Sequence, residues 1–137
     1  MGKSSPMSKD RKLALDTNAV IALFAQDPSL VELSRASDVL YLPFAVVAEL
    51  SFGALKSRAQ RTNIARISQF AQDHTIAYPD AATLEIYGEL RHQLEQQGRP
   101  ISVNDLWISC CCLQLGLTLV SRDAHFANIP RLHTITW

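Results

Sequence analysis

The stretch that decides the fold is Leu13-Ala14-Leu15-Asp16-Thr17-Asn18. A short apolar run that ends abruptly in polar residues is typical of a buried strand followed by a turn. Asp16 therefore stands at the carboxyl end of a strand, beside residues that belong in a core. A carboxylate in that position is unfavourable unless something compensates its charge.

Outward from this stretch, short apolar strands alternate with helices along the whole chain. Strands are predicted at 12–15, 39–42, 76–78, 118–121 and 134–136. Helices are predicted at 18–24, 29–36, 44–56, 58–72, 104–115 and, behind a cap at Asp80, to about 97. Such alternation is typical of an α/β fold with a mainly parallel sheet covered on both faces. In these sheets ligands bind at the carboxyl ends of the strands.

Length and charge restrict the classes of protein to consider. At 137 residues the chain is long enough for one domain with a core, and we expect this domain over residues 11–137. Residues 1–10 are polar and charged, so we expect a flexible tail there. The net charge of zero gives no overall attraction to nucleic acid. No stretch reaches membrane-spanning length, and no signal peptide is visible.

The three cysteines are adjacent, at Cys110, Cys111 and Cys112. Consecutive helical side chains point about 100° apart, so these thiols cannot form one tetrahedral metal site. We interpret them as small apolar residues of a buried helix. An odd, clustered set of cysteines argues against a disulfide framework and favours a reducing cytoplasm.

Three further acidic residues lie among residues that belong in a core. Glu49 interrupts the apolar run 44–50, Asp105 precedes Leu-Trp-Ile, and Asp123 follows the fourth predicted strand. Like charges about 4 Å apart repel by roughly 4 kcal/mol at an effective dielectric of about 20. If Asp16 and these three acids meet, Mg²⁺ or Mn²⁺ is the natural counter-charge, because both prefer carboxylate and water oxygens.

Each acid also has a purely structural interpretation. Asp16 would cap the helix that follows it, Glu49 would face solvent on its helix, and Asp123 would form a turn. The alternative is strongest for Asp105, because Ser102-Val103-Asn104-Asp105 matches a capping box, in which the acid accepts a hydrogen bond from a helix-start amide. Capping and metal binding are compatible.

Other chemistries find little support in the sequence. The four histidines show no zinc-motif spacing, and His125 beside Phe126 is interpreted as a packed or rim histidine. No glycine-rich phosphate loop and no G-x-S-x-G elbow occur.

In their order and spacing, four segments resemble the PIN-domain family, and more specifically the toxins of VapBC-type toxin–antitoxin pairs. The resemblance runs from Leu13 to the C-terminus. The segments are Leu15-Asp16-Thr17-Asn18, Val47-Ala48-Glu49-Leu50, Val103-Asn104-Asp105-Leu106-Trp107-Ile108 and Leu119-Val120-Ser121-Arg122-Asp123-Ala124-His125-Phe126. The resemblance implies a three-layer α/β/α fold in which the first and fourth strands are neighbours.

The resemblance also implies a function and a set of site residues. The activity is Mg²⁺-dependent endoribonuclease cleavage of RNA phosphodiester bonds by a homodimeric toxin that a VapB-like antitoxin neutralises. Asp16, Glu49, Asp105 and Asp123 match the four acidic positions of the family, and Ser121 matches a hydroxyl residue beside the last acid. Asp16 and Asp105 are assigned as principal ligands and Glu49 as a ligand or an orienting residue. Asp123 is assigned to a second ion or a metal-bound water.

Basic residues suggest where the RNA backbone would lie. Between 50 and 72 every ionisable residue is basic, and the predicted helix 58–72 places its apolar residues, Ile64 among them, opposite its arginines. We expect contacts to RNA phosphates from Ser121 and from the arginines Arg58, Arg61, Arg66 and Arg122. An ordinary solvated helix face is the alternative for the first three arginines.

Three other functions remain as alternatives. A phosphoacceptor signalling domain would normally carry a second acid after the first strand and a late lysine, whereas Asp16 is followed by Thr17 and no lysine occurs after Lys56. A PIN nuclease that is not a toxin would cut RNA without an antitoxin. A non-catalytic PIN module that binds RNA or protein would gain nothing from four mutually repelling carboxylates.

Overall fold

The computed structural model describes residues 12–37 and 39–137, so the expected tail over 1–10 lies outside the described residues. We number strands and helices separately in chain order. The elements are β1 Lys12–Leu15, α1 Thr17–Phe24, α2 Pro28–Ala36, β2 Val39–Pro43, α3 Phe44–Lys56, α4 Gln60–Asp73, β3 Thr75–Ala77, α5 Ala81–Gln96, α6 Val103–Leu115, β4 Thr118–Val120, a 3₁₀ helix Ala124–Asn128 and β5 Thr134–Ile135.

One parallel sheet joins the five described strands in the order β3-β2-β1-β4-β5. β1 is central, and its Leu13, Ala14 and Leu15 are at most 1% exposed. The chain first builds outward on one side of β1 and then crosses to the other side at β4. Because parallel crossovers are right-handed, this reversal puts α1–α4 and α5–α6 on opposite faces. The predicted α/β fold is confirmed, and β1 and β4 are neighbours as expected.

The buried helix α6 carries the three cysteines. All three are at most 1% exposed and none forms a disulfide. Burial raises the pKa of Cys110 to about 12 and that of Cys111 to about 11, so both thiols stay protonated at neutral pH. Their interpretation as small apolar residues is confirmed.

Capping residues set the starts of the helices next to the sheet. Asp80 caps α5 as predicted, in a capping box with Thr83. Asp16 caps α1, which begins at Thr17, one residue before the predicted start. The 3₁₀ helix after β4 was not predicted; Asp123 caps it by accepting a hydrogen bond from the His125 amide. Asp16 and Asp123 thus each stand between a strand end and a helix start.

No helix within the described residues is long and apolar enough to cross a membrane. The expected cytoplasmic location stays a prediction, as does the single domain over 11–137.

Candidate active site

Asp16 lies at the topological switch point of the sheet, between the carboxyl ends of β1 and β4. Its amide donates to the Val120 carbonyl at 3.3 Å, which ties the end of β1 to the end of β4. One carboxylate oxygen, Oδ1, accepts a hydrogen bond from the Ala19 amide at 2.8 Å. The residue is only 5% exposed. Capping therefore occurs, but it involves one oxygen of a carboxylate that is largely removed from water.

Glu49 reaches the same place from α3. Its Oε1 accepts a hydrogen bond from the Thr17 hydroxyl at 2.9 Å, so it lies beside the residue that follows Asp16. Glu49 is half-buried, which does not fit a side chain on the solvent face of a helix. The sequence did not lead us to predict that the Thr17 hydroxyl holds Glu49. A hydroxyl directly after the first acid was the available signal.

Asp105 lies in the first turn of α6, and only half of the expected capping box forms. The Asp105 amide donates to the Ser102 hydroxyl at 3.1 Å. Both residues are described, and the structure has no hydrogen bond from the Ser102 amide back to the Asp105 carboxylate. The predicted capping box was therefore wrong for the bond from the Ser102 amide to the Asp105 carboxylate. The Asp105 carboxylate is not used to cap the helix.

Asp123 completes the group, together with a histidine. Its amide donates to the Ser121 hydroxyl at 3.0 Å, and its Oδ1 lies 2.9 Å from Nδ1 of His125. One ligand atom each of Asp105, Asp123 and His125 lies within 4.8 Å of the other two. His125 is a rim residue as predicted, with its side chain 73% exposed. Its closeness to two of the acids was missed, although it stands only two residues after Asp123.

The pKa values of two carboxyls report the electrostatics of this cluster. Burial is the largest cause that raises the pKa of Asp16, and repulsion by Asp123 and Glu49 adds to it; hydrogen bonds from Ser121 and Ala19 oppose the shift. Burial is also the largest cause that raises the pKa of Asp105. The charges of Asp123 and Glu49 again add to the rise, while the Ser102 hydroxyl and His125 lower it.

The donor set fits a hard divalent cation. The charges of Asp123 and Glu49 act on both Asp16 and Asp105, and no lysine or arginine of the described residues forms an ion pair with any of the four. Carboxylate oxygens that lack a cationic partner are the ligands that Mg²⁺ and Mn²⁺ prefer. We call Asp16, Glu49, Asp105 and Asp123 the acidic cluster. Among the described residues, it is Asp105 and Asp123, together with His125, whose ligand atoms lie within 4.8 Å of one another.

The arginines predicted to contact RNA differ in how they are engaged. Arg66 Nη2 donates to the Phe24 carbonyl at 2.7 Å, and Arg122 Nε donates to that of Trp137 at 2.8 Å. Arg58 and Arg61 are exposed. The predicted apolar face of α4 is confirmed for Ile67, which is buried, but not for Ile64, which is 42% exposed. Arg66 is exposed as predicted and also packs over the Phe24 ring.

An apolar groove leads away from the acidic cluster. It lies between α1, α3 and α4 and has a volume of about 430 Å³. Thr17 and Glu49 line its inner end, and Ile21, Phe24 and Ile67 line its length. Ile21 is 52% exposed. Apolar surface therefore continues directly from the acids to the outside of the molecule.

A family model described as the PIN domain matches residues 13–132. The chain belongs to the PIN-domain family. This PIN domain is 33% identical over 129 residues to ribonuclease VapC1 of Haemophilus influenzae, across 90% of this chain and 96% of that protein. It is 29% identical over 129 residues to the tRNA(fMet)-specific endonuclease VapC of Shigella flexneri, across 92% and 98% of the two chains.

A solved structure agrees with this PIN-domain assignment. VapBC2 of Rickettsia felis, bound to a DNA fragment from its promoter, superposes with a TM-score of 0.82 at 30% identity. The match covers 92% of this chain and 98% of that one. The resemblance to VapC-type PIN domains drawn from four sequence segments is confirmed.

The first prediction concerns the stability of the metal-free protein. Asp16→Asn keeps the oxygen that caps α1 but removes one repelling charge, so in EDTA at pH 7 it should melt several degrees above the wild type. Because the folded-state pKa of Asp16 lies above its unfolded value, the charged form destabilises the fold at high pH. This penalty fades as the pH falls through the folded pKa. Thermal melts at successively lower pH should therefore show the gap between the two proteins narrowing.

Added Mg²⁺ provides the control for this prediction. An ion that binds only the folded state raises the melting temperature by mass action. The rise should be larger for the wild type than for Asp16→Asn. If Mg²⁺ leaves the melting temperature of the wild type unchanged and Asp16→Asn is less stable than the wild type, Asp16 has only a capping role.

Proposed function

We propose that this chain is a divalent-metal-dependent endoribonuclease and the toxin of a toxin–antitoxin pair. The observation that supports the proposal is that Glu49 and Asp123 lie close enough to both Asp16 and Asp105 for their charges to raise the pKa of each. Relatives named as ribonucleases that match nine-tenths of the chain support the reaction class.

The chain's own residues prepare the site for the ion. Asp16 and Asp105 are the principal ligands for Mg²⁺, for which Mn²⁺ substitutes; Glu49 is a ligand or an orienting residue, and Asp123 serves a second ion or a water. When bound, the ion supplies activation of water and stabilisation of charge on the phosphoryl oxygens.

Local hydrogen bonds fix the acids before any ligand arrives. The Ala19 amide holds Asp16 and the Thr17 hydroxyl holds Glu49. The His125 amide holds Asp123 at 2.9 Å. Carboxylates fixed in this way need little rearrangement when they take up an ion or orient a water.

RNA is the proposed substrate, and its phosphates need cationic contacts near the acidic cluster. Arg58 and Arg61 are exposed and suited to this role. Arg66 and Arg122 each donate to a backbone carbonyl, so their contacts to RNA would use the remaining N–H groups of the guanidinium. Ser121 is 5% exposed and acts through Asp16 and Asp123 rather than through the RNA backbone.

The proposed partner is a VapB-like antitoxin, and the Rickettsia felis neighbour is itself a VapBC complex. The apolar groove suits an apolar segment of such a partner, with an arginine directed at its inner end. A guanidinium pairs with carboxylates through two hydrogen bonds and would compete with the metal for them. The homodimer and the cytoplasmic location belong to the same proposal.

Metal-dependent cleavage is the direct test of the activity. The purified chain should cut structured RNA with Mg²⁺ or Mn²⁺, lose this activity in EDTA, and be inactive as Asp16→Ala. Gel analysis of labelled RNA measures all three. Undiminished cleavage in excess EDTA would falsify the metal mechanism, and RNA binding without cleavage in any divalent metal would indicate a non-catalytic module.

A matched pair of variants separates capping from catalysis at α6. Ser102→Ala removes the hydrogen bond that Ser102 accepts and should lower the free energy of unfolding by about 0.5–2 kcal/mol while most cleavage survives. Asp105→Asn should stay folded and lose orders of magnitude in rate. Urea unfolding and cleavage rates at saturating Mg²⁺ measure the two effects. Equal rates in the two variants would remove Asp105 from the catalytic residues.

Expression in bacteria tests the toxin role. The chain alone should arrest growth, and co-expression of a small partner encoded beside it should restore growth. Replacing an arginine of that partner with alanine should weaken the rescue, because the acidic cluster would lose its competing cation. A chain that cuts RNA in vitro yet is harmless when expressed alone would be a PIN nuclease outside toxin–antitoxin systems.

A further inference from the structure

A second cavity is lined by His125, which contacts Asp123 of the acidic cluster. It lies between the end of α5 and the 3₁₀ helix and has a volume of about 280 Å³. Leu94, Ile101 and Ile129 give it an apolar floor, and Leu94 and Ile129 are 2% and 4% exposed. This volume is near the lower limit of about 300 Å³ for small-molecule sites, which suits one nucleobase.

Polar side chains form the rim of this cavity. The helix end builds part of the rim: Gly98 adopts a φ of 69°, and the Arg99 amide donates to the Leu94 carbonyl at 2.8 Å. This turn closes α5 and brings Arg99 to the cavity. Asn128, the last residue of the 3₁₀ helix, lines it from the other side.

His125 belongs both to this cavity and to the surroundings of the acidic cluster. It lines the cavity, and its Nδ1 lies 2.9 Å from Asp123 Oδ1. One side chain therefore separates the two sites. A strand with a phosphate at the acids would place its neighbouring nucleotide next to His125.

Charge favours an anionic ligand at this cavity. No acidic residue lines it, and Arg99 has no side-chain hydrogen bond or ion pair with the rest of the described chain. By contrast, Arg91 within α5 forms an ion pair with Glu95, and Arg122 donates to the Trp137 carbonyl. Arg99 is thus a cation on the lining of this cavity whose guanidinium donors have no partner among the described residues and are available for a phosphate.

We propose that this cavity is a nucleotide pocket, which holds the RNA nucleotide next to the phosphate at the acidic cluster. The proposal rests on the proposed ribonuclease function. The base lies on the apolar floor of Leu94 and Ile129. The Asn128 amide, which offers both donors and an acceptor, selects among bases, and Arg99 binds the phosphate without regard to sequence.

Binding measurements test the pocket separately from cleavage. Fluorescein-labelled homopolymers of adenylate, cytidylate and uridylate are titrated into Asp16→Asn protein and followed by anisotropy. This protein should prefer one homopolymer, and adding Asn128→Ala should make the three affinities equal. Adding Arg99→Ala should weaken all three by about five- to ten-fold and reduce the slope of log affinity against log salt by about 0.7.

Arg35→Ala is the matched control. Arg35 is an exposed cation in the last turn of α2, which leads into the amino end of β2, so its loss should change no affinity. Because Arg99 and Asn128 are exposed, both variants should melt like the parent protein. The pocket is overturned if both behave like Arg35→Ala, if the parent shows no preference among homopolymers, or if no RNA binds.

The outcome for the pocket differs from the outcome for the activity. If the wild type cleaves RNA but the Arg99→Ala and Asn128→Ala variants bind like Arg35→Ala, the nucleotide pocket is rejected and the ribonuclease function is kept. Binding with the expected dependence on Asn128 and Arg99, but no cleavage in any divalent metal, would leave the pocket and remove the ribonuclease.

Discussion

Asp16 and Ser121 lie side by side because β1 and β4 pair in parallel, with Leu15 opposite Val120. Every other feature of the site depends on this pairing. It fixes the end of the central strand, and the Asp16 amide extends the pairing by one more hydrogen bond to Val120. The next residues on both strands then leave the sheet together, so their side chains share one space. Glu49 and Asp105 reach this space from helices on opposite faces of the sheet.

The same arrangement concentrates negative charge where water is scarce. Asp16 is almost fully buried, and burial and neighbouring carboxylates raise its pKa together. A fold that needed only helix caps could use serine or asparagine at such positions without this repulsion. No described lysine or arginine forms an ion pair with the four carboxylates, and a bound divalent cation, as proposed above, would offset their repulsion.

Local sequence signals predicted most of the fold, while the assignment of the four acids to one site stays a prediction. The polar break after Leu15, the cap at Asp80 and the apolar helix with three cysteines each depend on residues near in sequence, so periodicity and capping rules describe them well. Features that depend on tertiary contacts were missed or misjudged. The exposed Arg66 donates a hydrogen bond to the Phe24 carbonyl, and Ser102 accepts one from the Asp105 amide without the reciprocal bond. The approach of His125 to Asp105 across 20 residues of chain likewise depends on tertiary packing.

Anomalous diffraction from crystals soaked in Mn²⁺ tests the central claim most directly, because it locates the ion without any assay of activity. We expect an anomalous peak at the carboxyl ends of β1 and β4, within coordination distance of Asp16 and Asp105 oxygens, and its loss in Asp16→Asn crystals. A peak confined to the exposed pair Asp123 and His125, or no peak at saturating Mn²⁺, would contradict the claim that the four acids form one metal site.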